Sequence, residues 1–232
     1  MFRARVASLA AFIALVLLTG GCPSDPNTPF GTDGGLSGNG DGGSSDSAGI
    51  EFRIQSRPSS FPGDAGGPFE VRITSAVFNL RDVRAIGDSA PGDERTSLSS
   101  LALEWPRGEG EEEEDDEYRF EFRNAPSGTY WELLAQIIDY EIEGTVKIDE
   151  QRVPFEIEDE LSSSLSLSLD LGDLPLPVGS SEKVEIELRL DELVRNIAWD
   201  TVPEDDGVLV IDGGALLDAL RTQVDTAFVV KN

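Results

Sequence analysis

The sequence predicts a mainly β fold: an antiparallel two-sheet β-sandwich with two short helices near the C-terminus. Three observations predict it. Apolar and polar residues alternate with a period of two in several segments after residue 49. Clusters of turn-forming residues separate these segments at short intervals, and two late stretches carry apolar residues at helical spacing. Strict alternation marks a strand with one face on a core and one face in water.

The elements follow in order. In EFRIQ, Phe52 and Ile54 share a face. Residues 69–80 and 98–104 are further strand candidates. EYRFEFR sets Tyr118, Phe120 and Phe122 against Glu117, Arg119, Glu121 and Arg123. Strands are expected at 128–139, 143–149 and 153–158. SLSLSLDL aligns Leu165, Leu167, Leu169 and Leu171 against Ser164, Ser166, Ser168 and Asp170. KVEIELRL aligns Val184, Ile186, Leu188 and Leu190 against Glu185, Glu187 and Arg189. Residues 208–211 and 226–230 complete the set. The punctuation is PGDAGGP, APGD, APSG, VGSS and EDDG. Asp191 is placed to cap a helix through Leu193, Val194 and Ile197. Asp212 is placed to cap a second with Leu216, Leu217, Leu220 and Val224 on one face. Both stripes must bury against an end or an edge of the sandwich. Residues 49–232 form a single domain in this reading.

What precedes that domain reads as an address. Arg3 and Arg5 are followed by an apolar run over residues 6–18, interrupted only by Ser8. That run has the length of a signal-peptide core and is too short to span a bilayer. LLTGGC then ends in Cys22, the only cysteine of the chain. This stretch resembles the bacterial lipobox, where cleavage precedes a cysteine whose thiol carries diacylglycerol. Leu18 lies four residues before the cysteine, whereas the usual pattern puts leucine three before it. The resemblance implies a signal peptide at 1–21, Cys22 as the lipid attachment site, and fatty acyl chains such as palmitate as the anchor. Several chains are needed, because one acyl chain gives only reversible membrane binding. Pro23 stands where an aspartate would favour retention at the inner membrane, so the expected location is the cell envelope at the outer membrane, facing the periplasm or the surface.

Residues 22–48 are expected to form a disordered tether. Between 23 and 48 there are seven Gly, five Ser, three Pro and four Asp, with Phe30 and Leu36 the only large apolar residues. Such a composition buries too little surface to offset the entropy of ordering it. GTDGGLSGNGDGG lacks the fixed period of calcium-binding glycine–aspartate repeats.

The charge excludes some partners. With 45 acidic and 18 basic residues the formal net charge is −27, and loss of Arg3 and Arg5 makes it more negative. Such a body repels nucleic acid and anionic lipid and resists self-association. EGEEEEDDE, residues 109–117, holds eight acids in nine positions. A contiguous run splays into solvent rather than converging on an ion, so it reads as a solvated loop.

The chemistry is equally bounded. The chain has no histidine, which removes Ser–His and Cys–His catalysis and the commonest metal ligand. No phosphate-binding loop, nucleophile elbow or zinc motif occurs. No cofactor, metal or catalytic residue is assigned. A carboxylate pair remains chemically able to hydrolyse a glycoside, although the sequence nominates none. Trp131 shares strand parity with Leu133, Ala135 and Ile137 and is placed in the core. Trp105 and Trp199, at a strand end and after a helix, are assigned to packing at positions that also allow exposure. Arg81 and Arg84 are expected to offset neighbouring acids.

NAPSGTYWELLAQI resembles the small-Pro-x-Gly-x-Tyr strand entry of prealbumin-like and other immunoglobulin-like sandwiches. FEVRITSAVFNLRDVRAIGD with RTSLSSLALEW resembles the first half of bacterial lipoproteins of unknown function common in myxobacteria-like organisms. The likeness spans residues 70–140 and implies a sandwich fold without an established activity. The expected function is therefore a membrane-anchored envelope lipoprotein with a non-enzymatic binding or structural module for a protein or glycan partner. The alternatives are a carboxylate-dependent glycoside hydrolase, marked by two carboxylates in a concave, partly apolar pocket, and a cation-dependent adhesion module.

Overall fold

A computed structural model of the chain describes residues 49–60, 62–88, 94–106 and 117–231, excluding the side chains of 161–163. The leader, Cys22, the tether and residues 109–116 of the acidic run lie outside the described residues.

The described chain runs β1 (Gly49–Arg57), β2 (Gly63–Asp64), β3 (Glu70–Gly87), β4 (Ser97–Trp105), β5 (Glu117–Arg123), β6 (Gly128–Ile148), β7 (Gln151–Leu176) and β8 (Ser181–Arg189). It continues through α1 (Leu190–Arg195), β9 (Glu204–Asp205), β10 (Val208–Ile211), α2 (Gly214–Ala227) and β11 (Phe228–Lys231). The smaller sheet has the order β11-β8-β1-β5. The larger runs β2-β3-β6-β7-β10-β9, with β4 also paired to β3.

Both sheets are mixed, not purely antiparallel. β1 runs parallel to β8 from Gly49↔Ser181 to Arg57↔Arg189, and β10 runs parallel to β7 at Leu209↔Phe155. Alternation fixes which face a strand buries but carries no information on the direction of its neighbour. The expected pairs 128–139 with 143–149, and 153–158 with 164–171, each belong to one long strand. In β6 they read as separate because the register shifts between Ile137 and Asp139, which inverts the buried parity from Ile137 to Tyr140. In β7 the break falls at residues 161–164, which have no partner in the ladder with β6.

The two inner faces share one core. Phe78 of β3 stacks on Tyr140 of β6 with centroids 5.6 Å apart and meets Phe228 of β11 edge-on at 5.7 Å. Phe52 packs between Phe120 and Phe122 of β5. Phe155 lies against Trp199 at 4.4 Å. Its ring occupies the place where a side chain at Gly144 would project, so glycine is the residue that lets β6 carry it.

The helices begin differently from the sequence expectation. Arg189, not Asp191, precedes α1, and Asp191 lies buried in its first turn, bonded by Arg57 and Arg195. α2 is preceded by Gly213, and Gly214 takes a left-handed φ of +74°, so Asp212 falls one residue short of the capping position. Leu217, Leu220, Val224 and Ala227 of α2 are buried, with Leu216 partly so.

Candidate functional site: the outer face of the larger sheet

A two-residue turn determines what this face displays. β6 and β7 are joined through Asp149 and Glu150, whose φ values are +48° and +68°. Positive φ at both central residues matches the right-handed twist of a hairpin. The turn pairs Ile148 with Gln151, and the register continues unbroken to Asp139↔Glu160. Acids occupy every outward position in the middle of both strands. Glu143 therefore faces Glu156, Glu141 faces Glu158, and Asp139 faces Glu160. Like charges directly opposite each other are destabilising.

The surroundings supply neutral donors. Ser75 Oγ donates to Glu143 at 2.7 Å, and Asn79 Nδ2 donates to Asp139 at 2.5 Å. Glu141 faces Val77 of β3, which donates nothing. Partial burial, reinforced by Glu143, Glu156 and Glu158, holds the Glu141 carboxyl above the usual range. Among the described residues, Asp139, Glu141, Glu143, Glu156 and Glu160 enter no salt bridge. Asp139, Glu141, Glu158 and Glu160 line an open depression of about 590 Å³, with Val77 and Ile138 in its apolar part.

The smaller sheet treats its charges differently. Arg53 bonds Glu51 at 2.6 Å, Arg123 bonds Glu121 at 2.9 Å, Lys183 bonds Glu185 at 2.5 Å, and Arg189 bonds Glu187 at 2.9 Å. Lys231 and Arg57 also reach Glu187. One outer face is thus internally neutralised, while the other concentrates acid. Glu117, the last residue of the acidic run, belongs to the neutralised face, where its buried carboxylate binds Arg119 at 2.8 Å.

Beneath the acidic face lies a separate polar group. Asp159 is 1% exposed on the inner side of β7, and both its oxygens accept from Arg221 of α2, at 2.8 and 2.7 Å. The hydroxyl of Tyr140, directly across from Asp159, is buried without a hydrogen bond among the described residues. Burial, with the Asp159 charge beside it, keeps the phenol protonated well above its ordinary range.

The other expected site residues are dispersed. Trp131 is 41% exposed, contrary to its assignment to the core. The register shift between Tyr130 and Glu132 breaks the parity used to place it, so Tyr130 and Leu133 both point inward. Trp105 and Trp199 are buried in packing roles. Arg81 bonds Gln136 and lies 3.9 Å from Asp82, and Arg84 lies 3.8 Å from Asp82, so both neighbour an acid. Among the described residues, no cluster of His, Cys, Asp and Glu is arranged to hold a metal ion, and no helix is long and apolar enough to cross a membrane. No family model, no curated protein and no solved structure matches this chain.

Proposed function

We propose that this chain is a lipid-anchored envelope protein at the outer membrane whose β domain is a non-enzymatic binding module, and that it receives a cationic protein surface on the outer face of β6 and β7. One observation carries the binding reading: the contrast between the two outer faces. A fold that neutralises its charges across β1, β5 and β8 leaves Glu141, Glu143 and Glu156 on the other sheet without ion pairs among the described residues. Clustered like charge costs stability and repays that cost by steering and holding a partner of opposite sign. The anchor rests on the LLTGGC sequence and the apolar run before it. The finer identity as an immunoglobulin- or prealbumin-like sandwich is supported by Tyr130, whose hydroxyl donates to the Pro126 carbonyl at 2.7 Å across the strand entry.

Two measurements test the reading. A fatty-acid probe fed to expressing cells should label the wild-type chain and leave Cys22→Ala unlabelled; equal labelling removes the anchor. The purified full chain should bind an oligolysine peptide with an affinity that falls steeply as salt rises, and should ignore a neutral peptide of equal length. Salt-independent binding, or none, removes the cationic partner.

The hydrolase alternative is favoured by a specific feature, the raised Glu141 carboxyl opposite Glu158 in the depression. Release of sugar from a glycan panel that disappears with Glu141→Gln would establish it in place of the binding reading.

A further inference from the structure

A strand edge is a row of backbone donors and acceptors, and folded proteins protect such rows by shortness, charge or cover. Most edges here are protected. β9 is two residues long and acidic, β11 is four residues long and ends in Lys231, and β5 carries Arg119, Glu121 and Arg123. β4 is engaged at its end by Tyr118, whose hydroxyl accepts from the Glu104 N–H at 2.7 Å and donates to the Glu104 carbonyl at 2.5 Å.

β7 is the exception. Its second side pairs with β10 only from Phe155 to Ile157. Beyond that, among the described residues, Leu165 to Asp170 pair with β6 alone. The edge at Ser168, Leu169, Asp170 and Gly172 opens on a depression of about 290 Å³ that separates it from Phe228–Val230. Residues 161–169 carry no charge, in a chain of which 27% of residues are charged.

We propose that this edge pairs antiparallel with the same edge of a second copy of the chain, about a two-fold axis at Leu167. The charge pattern selects this occupant. Antiparallel pairing about Leu167 sets Ser166 opposite Ser168 of the second copy, Leu165 opposite Leu169, and Ser164 opposite Asp170. It sets no two charged residues opposite each other from Ser164 to Asp170 and keeps the acidic faces of the two copies at opposite ends of the joined sheet. The contact is isologous and closed, so it stops at a dimer. The net charge of −27 opposes it at long range, so screening strengthens it.

The test is the mass of the full chain in detergent, measured by sedimentation at low and high salt, with excess micelles to separate chains that share a micelle by chance. A dimer that grows with salt is expected. Ser166 is exposed, so a charge there leaves the core intact. Ser166→Glu should weaken the dimer about tenfold, since the new acid of each copy lies diagonal to the new acid and to Asp170 of the other, and Ser166→Lys should weaken it less, because Asp170 then attracts. Mixing the two variants should restore it. A chain monomeric at every salt concentration overturns the proposal. So does a dimer indifferent to both variants, or one lost instead with Ser100→Glu on β4.

Discussion

Arg221 and Asp159 meet through two parallel hydrogen bonds that join α2 to the inner face of β7. The carboxylate is 1% exposed and the arginine side chain about one third exposed. Losing the arginine strands a buried charge, which costs far more than the net worth of the pair. Arg221→Ala should lower the denaturant midpoint, because Asp159 is left buried without its partner. Asp159→Asn combined with Arg221→Leu should recover much of that loss, because no buried charge remains. Equal stability of Arg221→Ala and wild type would show that α2 is held by its apolar stripe alone.

The Glu141 carboxyl gives stability a pH dependence of unusual sign. Its proton affinity is raised in the folded state by burial and by neighbouring acids. A raised folded value means the native state binds more protons than the unfolded chain, so this group stabilises the fold as pH falls through that value and destabilises it above. Glu51 and Glu185, held below the usual range by Arg53 and Lys183 respectively, act in the opposite sense at lower pH. Glu141→Gln should therefore raise stability at neutral pH by about 0.5–1 kcal/mol and abolish the gain seen on mild acidification. A loss of stability at neutral pH would contradict this.

Asp149 and Glu150 hold positive φ without glycine or asparagine. Asp149→Asn with Glu150→Gly installs the preferred pair for this turn and should stabilise the hairpin by about 1 kcal/mol. Lower thermal stability of this variant would mean that the Lys147–Glu150 ion pair at 2.9 Å outweighs backbone preference.

The tryptophans separate packing from exposure. Trp199→Ala should cost about 3–5 kcal/mol, because its ring packs on Phe155 and its indole N–H donates to the Val194 carbonyl at 3.3 Å. Trp131→Ser should change stability by less than about 1 kcal/mol. Chemical denaturation of both variants decides between them; a Trp131 cost near that of Trp199 would return it to the core.

Much of the fold is legible in the sequence because burial is written in alternation. Phe52, Ile54, Phe122, Leu167, Leu169, Val184, Ile186 and Leu188 all lie in the core as the period requires. Strand direction was not legible, since a parallel neighbour buries the same residues as an antiparallel one. Trp131 lies outside the core because the register shift between Tyr130 and Glu132 breaks the alternation beside it, so its parity with Leu133 does not carry through. The acidic face was legible in part: acids fill the polar phase of residues 139–143 and 156–160. Their confrontation required the hairpin register, and the Asp149–Glu150 turn carries no glycine to announce it.

The central claim is that the outer face of β6 and β7, and not negative charge in general, receives the partner. The direct measurement compares the affinity of an oligolysine peptide for three forms of the full chain at one ionic strength. One is wild type, one carries Glu141→Gln, Glu143→Gln and Glu156→Gln, and one carries Glu51→Gln, Glu121→Gln and Glu185→Gln on the neutralised sheet. The two variants have the same net charge. Binding should fall about tenfold or more in the first variant, equivalent to about 1.4 kcal/mol, and change little in the second. Equal losses in both would reduce the interaction to overall charge and contradict the assignment of this face as the binding site.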